Sequence, residues 1–163
     1  LDRMYGSTGN DSINGGQGGD DLYGGEGNDR LDGGDGLDSV YGGPGNDFMV
    51  EQGFGDDPVY DGGAGDDYTD TNRGADRKVL GGAGNALIYT GNGDDHADGG
   101  PGDDVIDLGG GTDTGSGGDG NECRHAQRHP RHHQVAHPDP GEPPATGRLG
   151  TGTRGAAPLP GRP

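Results

Sequence analysis

Tryptophan is absent from this chain of 163 residues, cysteine occurs once, and Leu, Ile, Val and Phe together number only 20. So little apolar material cannot build a core of ordinary size, which excludes a conventional globular enzyme domain. No apolar run approaches the roughly 18 residues that a bilayer-crossing helix needs, so no membrane span is expected. The lone Cys123 leaves no internal disulfide and no C-x-x-C metal site. Basic side chains are scarce too: residues 1–122 hold 5 Lys and Arg against 27 Asp and Glu, a formal −22. A segment so acidic repels phosphate backbones, which argues against nucleic acid as a partner and makes divalent cations its natural counterions. Composition by itself describes a disordered polymer.

Glycine is what the chain has in abundance, and 36 of its 42 glycines fall before residue 123. They are periodic. Gly15 to Tyr23, Gly24 to Asp32, Gly33 to Tyr41 and Gly42 to Val50 all read G-G-x-G-x-D-x-U-x, with U apolar, and the unit before them keeps Gly9, Asp11 and Ile13. An acidic column therefore runs Asp11, Asp20, Asp29, Asp38, Asp47 at intervals of nine. Single-residue insertions near Glu51, Asp61 and Leu80 stretch the spacing, after which Asp57, Asp67, Asp76, Asp95, Asp104 and Asp113 fall in the same column. Ala86 breaks it. The apolar column reads Ile13, Leu22, Leu31, Val40, Met49, Val59, Thr69, Lys78, Ile88, Ala97, Ile106, Gly115, and residues 71–98 match the unit least well.

These units resemble the nonapeptide calcium-binding repeats of the RTX (repeats-in-toxin, hemolysin-type) proteins. The resemblance implies an all-β fold, a parallel β-roll or right-handed β-solenoid, with Ca²⁺ ions lining both edges. It also implies an extracellular, secreted protein, in which such repeats often follow a peptidase, lipase or toxin domain. The solenoid is expected over 6–122.

The unit has a physical logic of its own. Six glycine-rich residues make a turn, and three make a stretch in which one side chain points inward and its neighbours outward. Two units complete a coil, so turns stack on alternate edges. Asp11, Asp29, Asp47, Asp67 and Asp104 should share one edge, and Asp20, Asp38, Asp57, Asp76, Asp95 and Asp113 the other. Glycine in the turn lets carbonyl oxygens converge, aspartate adds a carboxylate, and calcium takes six to eight such oxygens in irregular geometry. These eleven aspartates are the expected metal ligands. The few inward apolar side chains cannot offset the entropy of ordering the chain, so folding is expected to require calcium.

Tyr23, Tyr41, Tyr60 and Tyr89 follow the apolar column by one place and should point outward. No H-E-x-x-H or G-x-S-x-G motif occurs and His96 is the one histidine of the repeat region, so catalysis is not expected of this chain. An adhesive solenoid would need a regular outward array, which Ser12, Asp21, Arg30, Ser39 and Phe48 do not make. Calcium ions are the expected partners. With no signal peptide at Leu1, the chain is expected to be a fragment, with a catalytic or adhesive domain upstream.

Composition changes abruptly at Cys123. Residues 123–163 carry 6 Arg, 8 Pro and 5 His against 2 acidic residues. A disordered tail is expected there; Pro130 and Pro138 oppose the helix that would align His125, His129, His132, His133 and His137 as a metal-binding tract. A change of reading frame in a G+C-rich gene would produce the same break, which the nucleotide sequence decides.

Overall fold

A computed structural model describes residues 1–121 and the backbone of 123–127. Its fourteen strands follow in order: β1 (Arg3–Thr8), β2 (Ser12–Asn14), β3 (Asp21–Glu26), β4 (Arg30–Asp32), β5 (Ser39–Pro44), β6 (Phe48–Val50), β7 (Val59–Ala64), β8 (Tyr68–Asp70), β9 (Val79–Leu80), β10 (Leu87–Tyr89), β11 (His96–Asp98), β12 (Val105–Gly110), β13 (Thr114–Ser116) and β14 (Cys123–Gln127). Odd-numbered strands form one seven-stranded sheet and even-numbered strands another, each in chain order. Every pairing is parallel. The chain thus alternates between two sheets and closes one coil with every second strand, the β-solenoid that the repeat implies.

The core is a file of side chains between the sheets. Strand alternation turns one residue of each three-residue stretch inward, and Leu22, Val40, Val79 and Ala97 of the first sheet meet Leu31, Met49, Ile88 and Ile106 of the second, all fully buried. Thr69 holds its place in the file at 1% exposure. Outer faces carry aromatic ladders. Tyr5 stacks on Tyr23 at 4.9 Å and Tyr23 on Tyr41 at 5.0 Å, while Phe48 stacks on Tyr68 at 4.7 Å on the other sheet.

The register departs from the nine-residue count in one region. Val40 pairs with Tyr60, and Tyr60 with Val79. Tyr60, expected to face outward, is fully buried, whereas Val59 is only half-buried and Lys78 is exposed. The cause is where the extra residues lie. Asp38 precedes its inward residue Val40 by two places, but Asp57 and Asp76 precede Tyr60 and Val79 by three, so Pro58 and Arg77 are the insertions, earlier than expected, and they stack in successive coils. Gln52 is the third, beside Glu51 as expected: Gly33 and Glu51 extend the paired β4 and β6, while the next turn glycines brought together are Gly34 and Gly53.

The stack continues without interruption through 71–98, where β9 is only two residues long. At the far end β14 pairs with β12, so the second sheet passes the composition break at Cys123. The rest of the expected disordered tail, from residue 128, with the side chains of the histidine tract, lies outside the described residues.

Candidate metal centre

In the turn from Gly24 to Asp29, Gly25 and Gly27 have φ of 111° and 127°, values that L side chains rarely adopt. Gly24 is required for space instead. A Cβ there would overlap Oδ2 of Asp29 and the carbonyl oxygen of Gly42 in the next coil, so the missing side chain is what lets a carboxylate and a carbonyl oxygen converge. The same pairing of Asp Oδ2 with a carbonyl oxygen one coil on occurs at Gly6, Gly42, Gly62 and Gly99. At Gly81 the carboxylate is missing, and the Cβ of Ala86 stands in its place.

The aspartates are stacked as the two-edge register requires. Along one edge the backbone N–H of Asp11 donates to Oδ1 of Asp29, Asp29 to Asp47 and Asp47 to Asp67, each at 2.8 Å. On the other edge Asp20 donates to Asp38, Asp38 to Asp57, Asp57 to Asp76, Asp76 to Asp95 and Asp95 to Asp113, over 2.7–3.1 Å. Ala86 keeps its donor role toward Asp104 at 2.8 Å. One oxygen of each accepting carboxylate is thereby fixed by the backbone.

The other oxygen is not. Oδ2 of Asp11, Asp20, Asp29, Asp38, Asp47 and Asp67 is buried without a hydrogen-bond partner. Apart from Asp11 and Asp113, which are half-buried, the eleven expected ligands are at most 3% exposed. Burial, with like charges on neighbouring coils, pushes Asp38, Asp57, Asp67, Asp76 and Asp95 up to about 6. A buried oxygen with no donor costs free energy unless something positive meets it. The donor set is all oxygen, part carboxylate and part carbonyl, which suits a hard cation such as calcium and not a metal that prefers nitrogen or sulfur.

A second ladder was not anticipated from the sequence. Along the edge of Asp11, Asp29, Asp47, Asp67 and Asp104, the residue before the aspartate position accepts from the coil that follows: Asn28 N–H donates to Oδ1 of Asn10, Asn46 to Asn28, Asp66 to Asn46, Asn85 to Asp66, Asp103 to Asn85 and Asn121 to Asp103. Its signal is an Asn or Asp at every second unit, which by itself reads as ordinary turn chemistry.

Two sheets of short parallel strands, joined at both edges by Gly-Asp turns with unpaired carboxylate oxygens, define a cation-binding β-solenoid. The RTX calcium-binding nonapeptide repeat matches this chain in four copies, over residues 2–31, 14–49, 80–115 and 89–122. Those matches cover more than half of the sequence, and the chain belongs to that family. The unmatched stretch between them holds the insertions Gln52, Pro58 and Arg77. No curated protein sequence gives a significant match.

Proposed function

We propose that this chain is a non-catalytic structural module of the extracellular space, whose β-roll forms when calcium binds between stacked turns. Asp11, Asp20, Asp29, Asp38, Asp47, Asp57, Asp67, Asp76, Asp95, Asp104 and Asp113 are the ligands, each supplying a carboxylate oxygen beside turn carbonyls. The observation that carries this reading is the row of buried Oδ2 atoms without partners, set against carbonyl oxygens of the next coil. A rod with a formal −22 over residues 1–122 and so thin a core repels itself without cations. Extracellular calcium is abundant enough to occupy weak sites of this kind, which supports a secreted location.

Far-UV circular dichroism during calcium titration tests the proposal. At neutral pH the chain should give a disordered spectrum in excess chelator and a β spectrum in millimolar calcium, with ions binding as the fold appears. An unchanged β spectrum in chelator overturns it.

A further inference from the structure

Glu51 stands where the nonapeptide unit places no acid. Beyond the paired residues Asp32, Val50, Asp70, Tyr89 and Asp107 of the second sheet, the next positions of successive coils are Gly33, Glu51, Thr71, Thr90 and Leu108. This column faces the interior: Glu51 is 3% exposed, no N–H or hydroxyl group donates to its carboxylate, and its one side-chain partner is the carboxyl group of Asp57. One oxygen each from Glu51, Asp57 and Asp76 lie within 4.8 Å of one another.

A second buried group points to the same place. The hydroxyl of Tyr60, a fully buried residue, has no hydrogen-bond partner and lies over Gly33 beside Asp38 Oδ2. Its ionisation is opposed first by burial and then by Asp57, Glu51, Asp38 and Asp76. Burial and the charge of Asp57 push Glu51 up to about 10. Three carboxyl groups and a phenol thus share a buried space, whose charge is balanced either by a proton held between Glu51 and Asp57 or by a cation in its place.

We propose that Glu51, Asp57 and Asp76 bind a calcium ion inside the roll, with the Tyr60 hydroxyl beside it, and that Glu51 is a metal ligand outside the Gly-Asp repeat. The donors are all oxygen and tolerate the irregular arrangement that calcium accepts. Pro58 contributes by advancing the register one place, which brings Tyr60 rather than Val59 indoors. The inference rests on calcium binding by the repeats and adds a site to it.

The test is a count of bound ions by native mass spectrometry of the full chain in saturating calcium, comparing the wild type with Glu51→Gln. The variant keeps the shape of the side chain and should carry one ion fewer, with its folding midpoint moved to higher calcium. An unchanged ion count, or a midpoint moved to lower calcium, overturns the site, because a Glu51 that is merely a buried acid folds more easily once neutralised. If the wild type binds no calcium, the repeat reading itself fails. Should Glu51→Gln not fold, anomalous scattering from wild-type crystals grown with terbium decides: a peak within bonding reach of both Glu51 and Asp57 upholds the site, and no peak there overturns it.

Discussion

The amide of Asp11 donates to Oδ1 of Asp29 at 2.8 Å, one coil further along. Oδ2 of Asp29 meets the carbonyl of Gly42, one coil further again, at the vacant Cβ position of Gly24. A single carboxylate therefore joins the coil behind it through a hydrogen bond and faces the coil ahead across a gap that a cation can fill. Where the aspartate is missing both links go, and that is the situation at Ala86, whose Cβ faces Gly81 and the carbonyl of Gly99.

Ala86→Asp should restore both. The new carboxylate would accept from the amide of Asp67 and present an oxygen to the Gly99 carbonyl, adding calcium affinity at the edge where the column is broken. One further ion at about 100 times its dissociation constant adds roughly 2.7 kcal/mol. Calorimetric titration should show an extra bound ion or a lower folding midpoint. Equal stoichiometry and midpoint would show that the edge carbonyls do not form a site with position 86.

Gly45 has φ of 141°, and a Cβ on it would overlap the carbonyl oxygen of Gly27 in the preceding coil. Gly9 has φ of 111° and nothing within 4 Å of the same position. Gly45→Ala should lose more than Gly9→Ala, whose cost is backbone strain alone, on the order of 1–3 kcal/mol. Urea unfolding of both variants in saturating calcium measures the difference, and equal losses would mean that coil-to-coil contact at the turns adds nothing.

Acid should act on the metal-free and calcium-loaded chains in opposite directions. Asp38, Asp57, Asp67, Asp76 and Asp95 rise from 3.8 to about 6 on folding. A carboxyl group raised in this way favours the folded state fully below its unfolded value and loses that contribution as pH climbs through its folded one. In chelator, β structure should therefore be greatest below pH 3.8 and fade up to about pH 6. With calcium the dependence reverses, since the ion displaces these protons. Circular dichroism from pH 3 to 8, with and without calcium, checks both limbs; a metal-free β signal that grows with pH contradicts the argument.

The aspartate column and its division between two edges are legible in the sequence because Gly and Asp are chemically distinctive and recur without gaps from Asp11 to Asp47. Tyr60 and Val79 are not, since counting places the inward residue two after each aspartate and cannot see that Pro58 and Arg77 lie between the turn and the strand. The ladder from Asn10 to Asn121 has a visible eighteen-to-twenty-residue rhythm, but its meaning depends on which amide lies above which side chain. Glu51 is hidden for the same reason: only pairing across β4, β6 and β8 puts it in line with Gly33 and Thr71, facing inward.

The two side-chain ladders run in opposite senses, one handing oxygens to the preceding coil and the other to the following coil. Each coil thus interacts almost wholly with its two neighbours, as in a one-dimensional chain of coupled units. Order in such a system spreads from a nucleus as a front in both directions along the axis. Ala86, which offers the amide of Asp67 no carboxylate, weakens one link of that coupling, and a front should slow there.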